Sequence, residues 1–222
     1  MIKGSKIKRK FLSLFNRDTD YWNSYYKKFP PESQTESLFA CFISKYLFKG
    51  GTIVDLGCGN GRDSFFFNKN GLNVWGIDAS ESVINALNRY ASDNMHFVCG
   101  NFITDQSIFS RKVDFFYSRF TLHAIDKKGE SVLLKNVFSS LADNGMFFVE
   151  VRGIHDEKYG LGEKVDRNAF LLDGHYRRFI DINELLKNLI KTGFSIKYAE
   201  EERGFAPYKD EDSEIIRVIA VK

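Results

Sequence analysis

Two aspartates flank a glycine-rich turn: Asp55, then Gly57, Gly59 and Gly61, and Asp78 23 residues after Asp55. The turn follows the apolar run "TIVDL" and leads into Phe65, Phe66 and Phe67, so it joins a strand to a helix. Glycines there let the chain turn sharply and let a ligand approach main-chain N–H groups at a positive helix end. A dinucleotide fingerprint needs G-x-G-x-x-G, whereas here the third glycine comes one place early and Arg62 stands next, so a pyrophosphate fits poorly. A carboxylate at Asp55 repels a diphosphate too, and welcomes an ammonium or sulfonium. Asp78 ends "NVWGID", where doubly wound folds place an acid that accepts hydrogen bonds from ribose hydroxyls. In "VCGNF", the amide of Asn101 is placed to meet an adenine edge and Phe102 to stack.

Positioning these groups requires alternating short strands and helices. Strand-like runs fall near 52–57, 73–78, 95–99, 113–119 and 145–151, with helices between them, clearest in "SESVINALNRYA" and "KGESVLLKNVFSSLA". Ser80 or Ser82 caps the former. The apolar spacing of "ESLFACFISKYLF" adds a leading helix before the first strand. After helix "INELLKNLIKTG", the strand-like "FSIKYAEEERG" and "SEIIRVIAVK" are joined only by a charged turn and must pair antiparallel. The expected fold is therefore α/β, a doubly wound, mostly parallel sheet ending in an antiparallel hairpin. Residues 153–180 lack periodicity and follow a strand's carboxyl end, on the ligand side of such a sheet.

A hydrophobic fraction of 43% and only three Pro over 222 residues favour one continuous domain, 1–222. The net charge of +3 is too near neutral to imply a polyanion partner such as nucleic acid. No run of eighteen apolar residues exists, so neither a spanning helix nor a signal peptide is expected and the chain reads as cytoplasmic. Cys41, Cys58 and Cys99 are odd in number without C-x-x-C spacing, so they read as three buried thiols rather than disulfides or a zinc site. The basic start, Lys3, Lys6, Lys8, Arg9 and Lys10, either contacts an anionic surface weakly or is a solvated terminus.

Together the loop, both aspartates and "VCGNF" resemble the class I S-adenosylmethionine-dependent methyltransferases, whose fold is a Rossmann-like sheet of seven strands. The resemblance implies S-adenosylmethionine as cofactor and S-adenosylhomocysteine as product. It implies that Asp55, Gly57, Gly59, Asn60 and Gly61 surround the methionine part, that Asp78 with Ala79 takes the ribose and that Asn101 with Phe102 holds adenine. Ser118 and Trp22 complete the implied lining, with the segment around Tyr21, Trp22 and Tyr26 in residues 1–50 folding over the cofactor. Alternatively, those aromatics only staple the first helix to the sheet.

The methyl acceptor must be read from later segments. "YSRFTLHAI" lacks the Asn/Asp-Pro-Pro-aromatic motif of enzymes acting on exocyclic amines of nucleobases, and no Cys follows residue 99 to serve cytosine C5. Asp114 starts its strand and leaves Glu150 alone at the strand ends, so no metal is expected. His123, His155 and His175 fall on the acceptor side, and a neutral imidazole is the natural base for a hydroxyl. His123 is the first candidate and His175 the second, each against a purely structural role, while His96 is structural. Arg119, Arg152, Arg177 and Arg178 suit a carboxylate or phosphate, or else pair with Glu150, Asp156, Asp166 and Asp173. Tyr159 and Tyr176 offer hydroxyls or stacking faces to a sugar. The motifs "YSRFTLHAI", "FVEVRG", "KYGLG" and "GHYRRFI" resemble a bacterial subgroup associated with capsule and surface-polysaccharide assembly. The expectation is O-methylation of a small or carbohydrate-type anionic acceptor. The rivals are base-free methylation of a thiol, amine or metalloid, and a non-catalytic module of polysaccharide assembly.

Overall fold

The computed structural model describes residues 35–172 and 175–222. Trp22, Tyr21, Tyr26 and the basic start therefore lie outside the described residues. Seven strands form the main sheet: β1 (Thr52–Leu56), β2 (Asn73–Asp78), β3 (Met95–Cys99), β4 (Val113–Arg119), β5 (Leu141–Arg152), β9 (Ser195–Glu202) and β10 (Ile215–Val221). Their order is β3-β2-β1-β4-β5-β10-β9. β10 runs antiparallel to both β5 and β9, and the other pairings are parallel, matching the expected hairpin.

Because successive strand residues face opposite sides, the sheet has two cores. Val54, Phe116, Val149 and Val218 meet the helices α4 (Gln106–Phe109), α5 (Lys127–Ser140) and α6 (Ile182–Thr192) through Ile108, Leu133, Leu134, Leu185 and Leu189. On the other face Ile53, Tyr117, Phe148 and Ile219 meet α1 (Leu38–Ile43), α2 (Arg62–Lys69) and α3 (Glu81–Leu87) through Phe39, Phe67, Val83 and Leu87. Side-chain caps set the helix starts: Ser37, Ser80, Asp105, Asp126 and Asp181 each accept a main-chain N–H of the first turn.

The structure differs from the sequence reading in four places. β5 begins at Leu141, not near 145, because the buried Leu141 pairs with Val113 directly after α5 and Asn144 takes a positive φ of 62° inside the strand. The leading helix stops at Ile43 and continues as a 3-10 turn, Ser44–Tyr46. Residues 153–180 are not a plain loop: they hold a second antiparallel sheet of β6 (Glu163–Asp166), β7 (Ala169–Leu172) and β8 (His175–Arg178). Every residue of β6 is exposed, so no alternation marked it. Lastly, Cys58 alone of the three free cysteines is buried, while Cys41 and Cys99 are exposed.

Candidate active site

The order reverses between β1 and β4, and ligands of open parallel sheets bind beyond the carboxyl ends of the strands at such a switch point. There Gly57, Gly59 and Gly61 adopt positive φ values of 70°, 53° and 77°. Gly57 and Cys58 donate their N–H groups to the Ile77 carbonyl at 2.8 and 3.0 Å, so the turn folds back over the end of β2. A Cβ at Gly57 would lie 2.4 Å from Thr121 Cγ2, which ties the turn to the segment after β4. Gly61 precedes α2 and supplies no side-chain cap to the N–H groups of its first turn.

Two carboxylates line this edge. Asp55 is buried and accepts a 2.6 Å hydrogen bond from Ser64 Oγ. Burial pushes its carboxyl up to about 7; the Ser64 bond opposes that rise, and the nearby Asp63 and Asp78 add to it. Asp78 accepts from Gly59 N at 3.0 Å and Ser80 N at 2.9 Å, and its pKa is raised, chiefly by burial. A carboxylate has about four lone-pair sites, so two such bonds leave room for hydroxyl donors. Ala79 beside it is exposed and Asn60 half-buried. Asn101 Oδ1 accepts from Ile103 N at 2.8 Å, so its amide N–H₂ is not used in that bond. Phe102 packs half-buried, with its Cδ1 4.0 Å from the position of a Gly57 Cβ. Ser118 is fully buried and hydrogen-bonds Thr121.

The donor set answers which cofactor fits. A buried carboxylate whose own burial resists ionisation is stabilised by a cation and destabilised by a phosphate. Residues 53–145 match the family described as a methyltransferase domain. Over those residues the chain carries the pattern of a methyltransferase domain. Among solved structures, an S-adenosylmethionine-dependent methyltransferase from Methanosarcina mazei superposes with a TM-score of 0.69 at 21% identity, covering 82% of this chain and 96% of that one. The 1,6-didemethyltoxoflavin N1-methyltransferase of Burkholderia thailandensis, solved with its acceptor and S-adenosylhomocysteine, gives 0.69 at 17% identity over 96% and 89%. The glycopeptide N-methyltransferase MtfA gives 0.65 at 16% identity over 85% and 90%. At these identities the likeness shows the fold, including the seven strands. No curated protein sequence matches the chain. Among the described residues no helix is long and apolar enough to cross a membrane.

The ionisation of Asp55 carries a testable consequence. With Asp55 in its expected place against the cationic end of the ligand, which prefers the carboxylate, binding below about pH 7 requires the loss of a proton. Affinity for S-adenosylmethionine, measured by calorimetry, is expected to be level above about pH 8 and to fall by up to about tenfold per unit below about pH 6. Asp55→Asn is expected to bind weakly and flatten this profile; an unchanged slope in that variant would exclude Asp55 as its source. Because the carboxyl titrates higher in the folded than the unfolded chain, Asp55 also makes the cofactor-free protein less stable as pH rises from about 4 to 7.

The segments expected to face the acceptor follow β4 and β5. Phe120 takes a positive φ of 55° immediately after β4, and its N–H donates to the Glu150 carbonyl at 2.8 Å. The next turn, Leu122–Ala124, buries His123. His123 Nδ1 is buried with no hydrogen-bond partner among the described residues, and the Phe120 ring lies 5.9 Å from the imidazole. Burial first, then the charges of Arg177, Arg152, His175 and Arg178, hold its pKa well below the ordinary range. β8 packs over this turn and carries His175 and Arg178 buried, with Tyr176 and Arg177 half-buried.

The arginines divide by partner. Arg178 donates from Nε to Ile125 O at 2.8 Å and from Nη2 to Leu122 O at 3.1 Å and to Glu130 Oε2 at 2.6 Å. That corrects its reading as an acceptor ligand: its fork points into the protein and clamps both ends of the turn that carries His123. Arg119 Nε meets Glu150 Oε1 at 2.8 Å, and Arg152 Nη1 meets Asp156 Oδ2 at 2.5 Å, so the carboxylate pairing weighed for them is present. Both also lie near the Phe120 ring, at 4.5 and 5.6 Å. Tyr159 donates to Asn168 Oδ1 at 2.9 Å and packs on Phe170 and Phe179. His155 stands apart, exposed and bonded to Glu201 Oε2 at 3.0 Å, while His96 stacks on Trp75. Sequence reading missed Ser64, Thr121 and Glu130; only the small residue one helical turn behind the glycines signalled the first.

Proposed function

We propose that the enzyme methylates an oxygen of a small, anionic, carbohydrate-type acceptor with His123 as the base. The setting of His123 carries this reading: a buried imidazole with an unpartnered Nδ1, on which the leading charges are those of arginines. Such a ring stays neutral near pH 7 and able to take a proton, and an acceptor anion among Arg152, Arg177 and Arg119 offsets the charges that depress its basicity. The cofactor supplies an electrophilic methyl on sulfonium sulfur. The chain's own groups then have separate tasks. Asp55 and the turn from Gly57 through Asn60 to Gly61 hold the cationic end; Asp78 and Ala79 hold the ribose; Asn101 and Phe102 hold adenine; and Ser118 lines the junction. Tyr159 and Tyr176 flank the acceptor, and His175 is the second candidate for the base. A surface-polysaccharide precursor satisfies this description, supported only by the four short motifs.

Isotopic methyl transfer to matched acids and their neutral esters or alcohols tests the reading. In His123→Gln, kcat is expected to fall about 10²–10⁴-fold with cofactor affinity unchanged. Both His123→Gln and His175→Gln staying within about threefold of the parent would remove histidine from the reaction. That result would favour transfer to an amine, thiol or metalloid by alignment alone. The depressed basicity of His123 and the named N-methyltransferase neighbours speak for that second reading.

A further inference from the structure

One cluster outside the methyl-transfer pocket has the composition of a metal site. His155 follows β5, Glu201 lies near the end of β9 and Glu214 directly precedes β10. β9 runs parallel to β5, and β10 runs opposite to both, so all three residues fall on the ligand edge of the sheet. One potential ligand atom from each lies within 4.8 Å of the others, the only such histidine-containing or acidic trio among the described residues.

We propose that His155, Glu201 and Glu214 bind one divalent transition-metal ion, such as Zn²⁺ or Mn²⁺, with water completing the shell. The donor set of one imidazole and two carboxylates suits those ions and is a poor match to Ca²⁺ or Mg²⁺, which prefer all-oxygen shells. In a tetrahedral site with bonds of about 2.0–2.1 Å, neighbouring ligand atoms sit about 3.3 Å apart. His155 Nδ1 and Glu201 Oε2 are already 3.0 Å apart. Glu214 is about one-third exposed and held by Arg203 Nε at a loose 3.8 Å, so its carboxylate is lightly restrained.

Glu201 supplies the second, independent observation. Its side chain is nine-tenths buried, yet among the described residues Oε1 has no hydrogen-bond partner and only His155 meets Oε2. A buried carboxylate so thinly compensated calls for a further positive charge. Gly153 makes the burial possible, since a Cβ there would stand 1.9 Å from Oε1. An ion in this place joins the segment after β5 to the β9–β10 hairpin, beside the Arg152–Asp156 pair of the acceptor side. The proposal does not depend on the acceptor reading.

The test uses the full-length protein, stripped with a chelator and titrated with ZnCl₂, MnCl₂ and, as an optical probe, CoCl₂. One equivalent is expected to bind with a dissociation constant in the micromolar range and to raise Tm. Co²⁺ is expected to show the absorption of a low-coordinate N/O site. His155→Ala and Glu201→Gln should each weaken binding at least about 30-fold while S-adenosylhomocysteine affinity stays within about twofold of the parent. Glu201→Gln guards against misfolding, because it keeps the shape of the side chain. Absence of stoichiometric binding, or binding unaltered in both variants, overturns the proposal.

Discussion

Replacing Glu150 with alanine is expected to lower stability by about 3–5 kcal/mol, the usual cost of removing one partner from a buried ion pair. Glu150 has no exposed side-chain surface and accepts from Arg119 Nε at 2.8 Å and Arg217 Nε at 2.7 Å. The register explains the geometry: Arg119 on β4, Glu150 on β5 and Arg217 on β10 stand side by side across three adjacent strands. Arg217 is itself buried under Phe39, Phe42 and Phe205, with ring distances of 5.3, 5.1 and 4.3 Å. Removing the carboxylate strands one guanidinium there and frees another beside Phe120. In urea unfolding the midpoint should drop with an unchanged slope. A shift worth less than about 1 kcal/mol would mean that the two arginines find other partners at little cost.

The largest expected effect on ligand binding is that of Asp78→Ala. If the proposed ribose role holds, the variant loses two hydroxyl bonds to a charged acceptor, each worth about 1.5–3 kcal/mol. Affinity for S-adenosylhomocysteine should then fall at least about 10²-fold by calorimetry. The side chain also ties Gly59 N to Ser80 N, so the turn loosens in the same variant. Because Gly59 N and Ser80 N bond different carboxylate oxygens, Asp78→Asn keeps an acceptor for only one of them, so the turn loosens less than in Asp78→Ala while the charge is lost. Wild-type affinity in Asp78→Ala would remove the acid from the ribose.

The glycine turn and its flanking aspartates were legible because their signals are local. Asp55, the glycines and α2 fall within fifteen residues, and β1 can lead into such a turn only at one end of a parallel sheet. The acceptor half was not, because its groups come from distant segments. Arg178 looked like its neighbour Arg177, yet strand alternation sends the two to opposite faces and commits Arg178 to Glu130, 48 residues away. The fully exposed β6 carried no apolar period, so the small sheet over His123 stayed hidden. His155 was placed beside the acceptor histidines, whereas the hairpin returns Glu201 and Glu214 to it from across the sheet.

By itself, then, the order of residues determined the strand succession, the antiparallel ending and the acidic flanks of the glycine turn, since each follows from hydropathy period or from residue types at neighbouring positions. Tertiary structure alone decided which ionisable groups lose water and which partners they meet. It placed Asp55 in the dry interior, isolated Nδ1 of His123 among arginines and set Glu150 between two guanidinium groups. Desolvation and ion pairing depend on what packs across the sheet, and that information is spread over the whole chain.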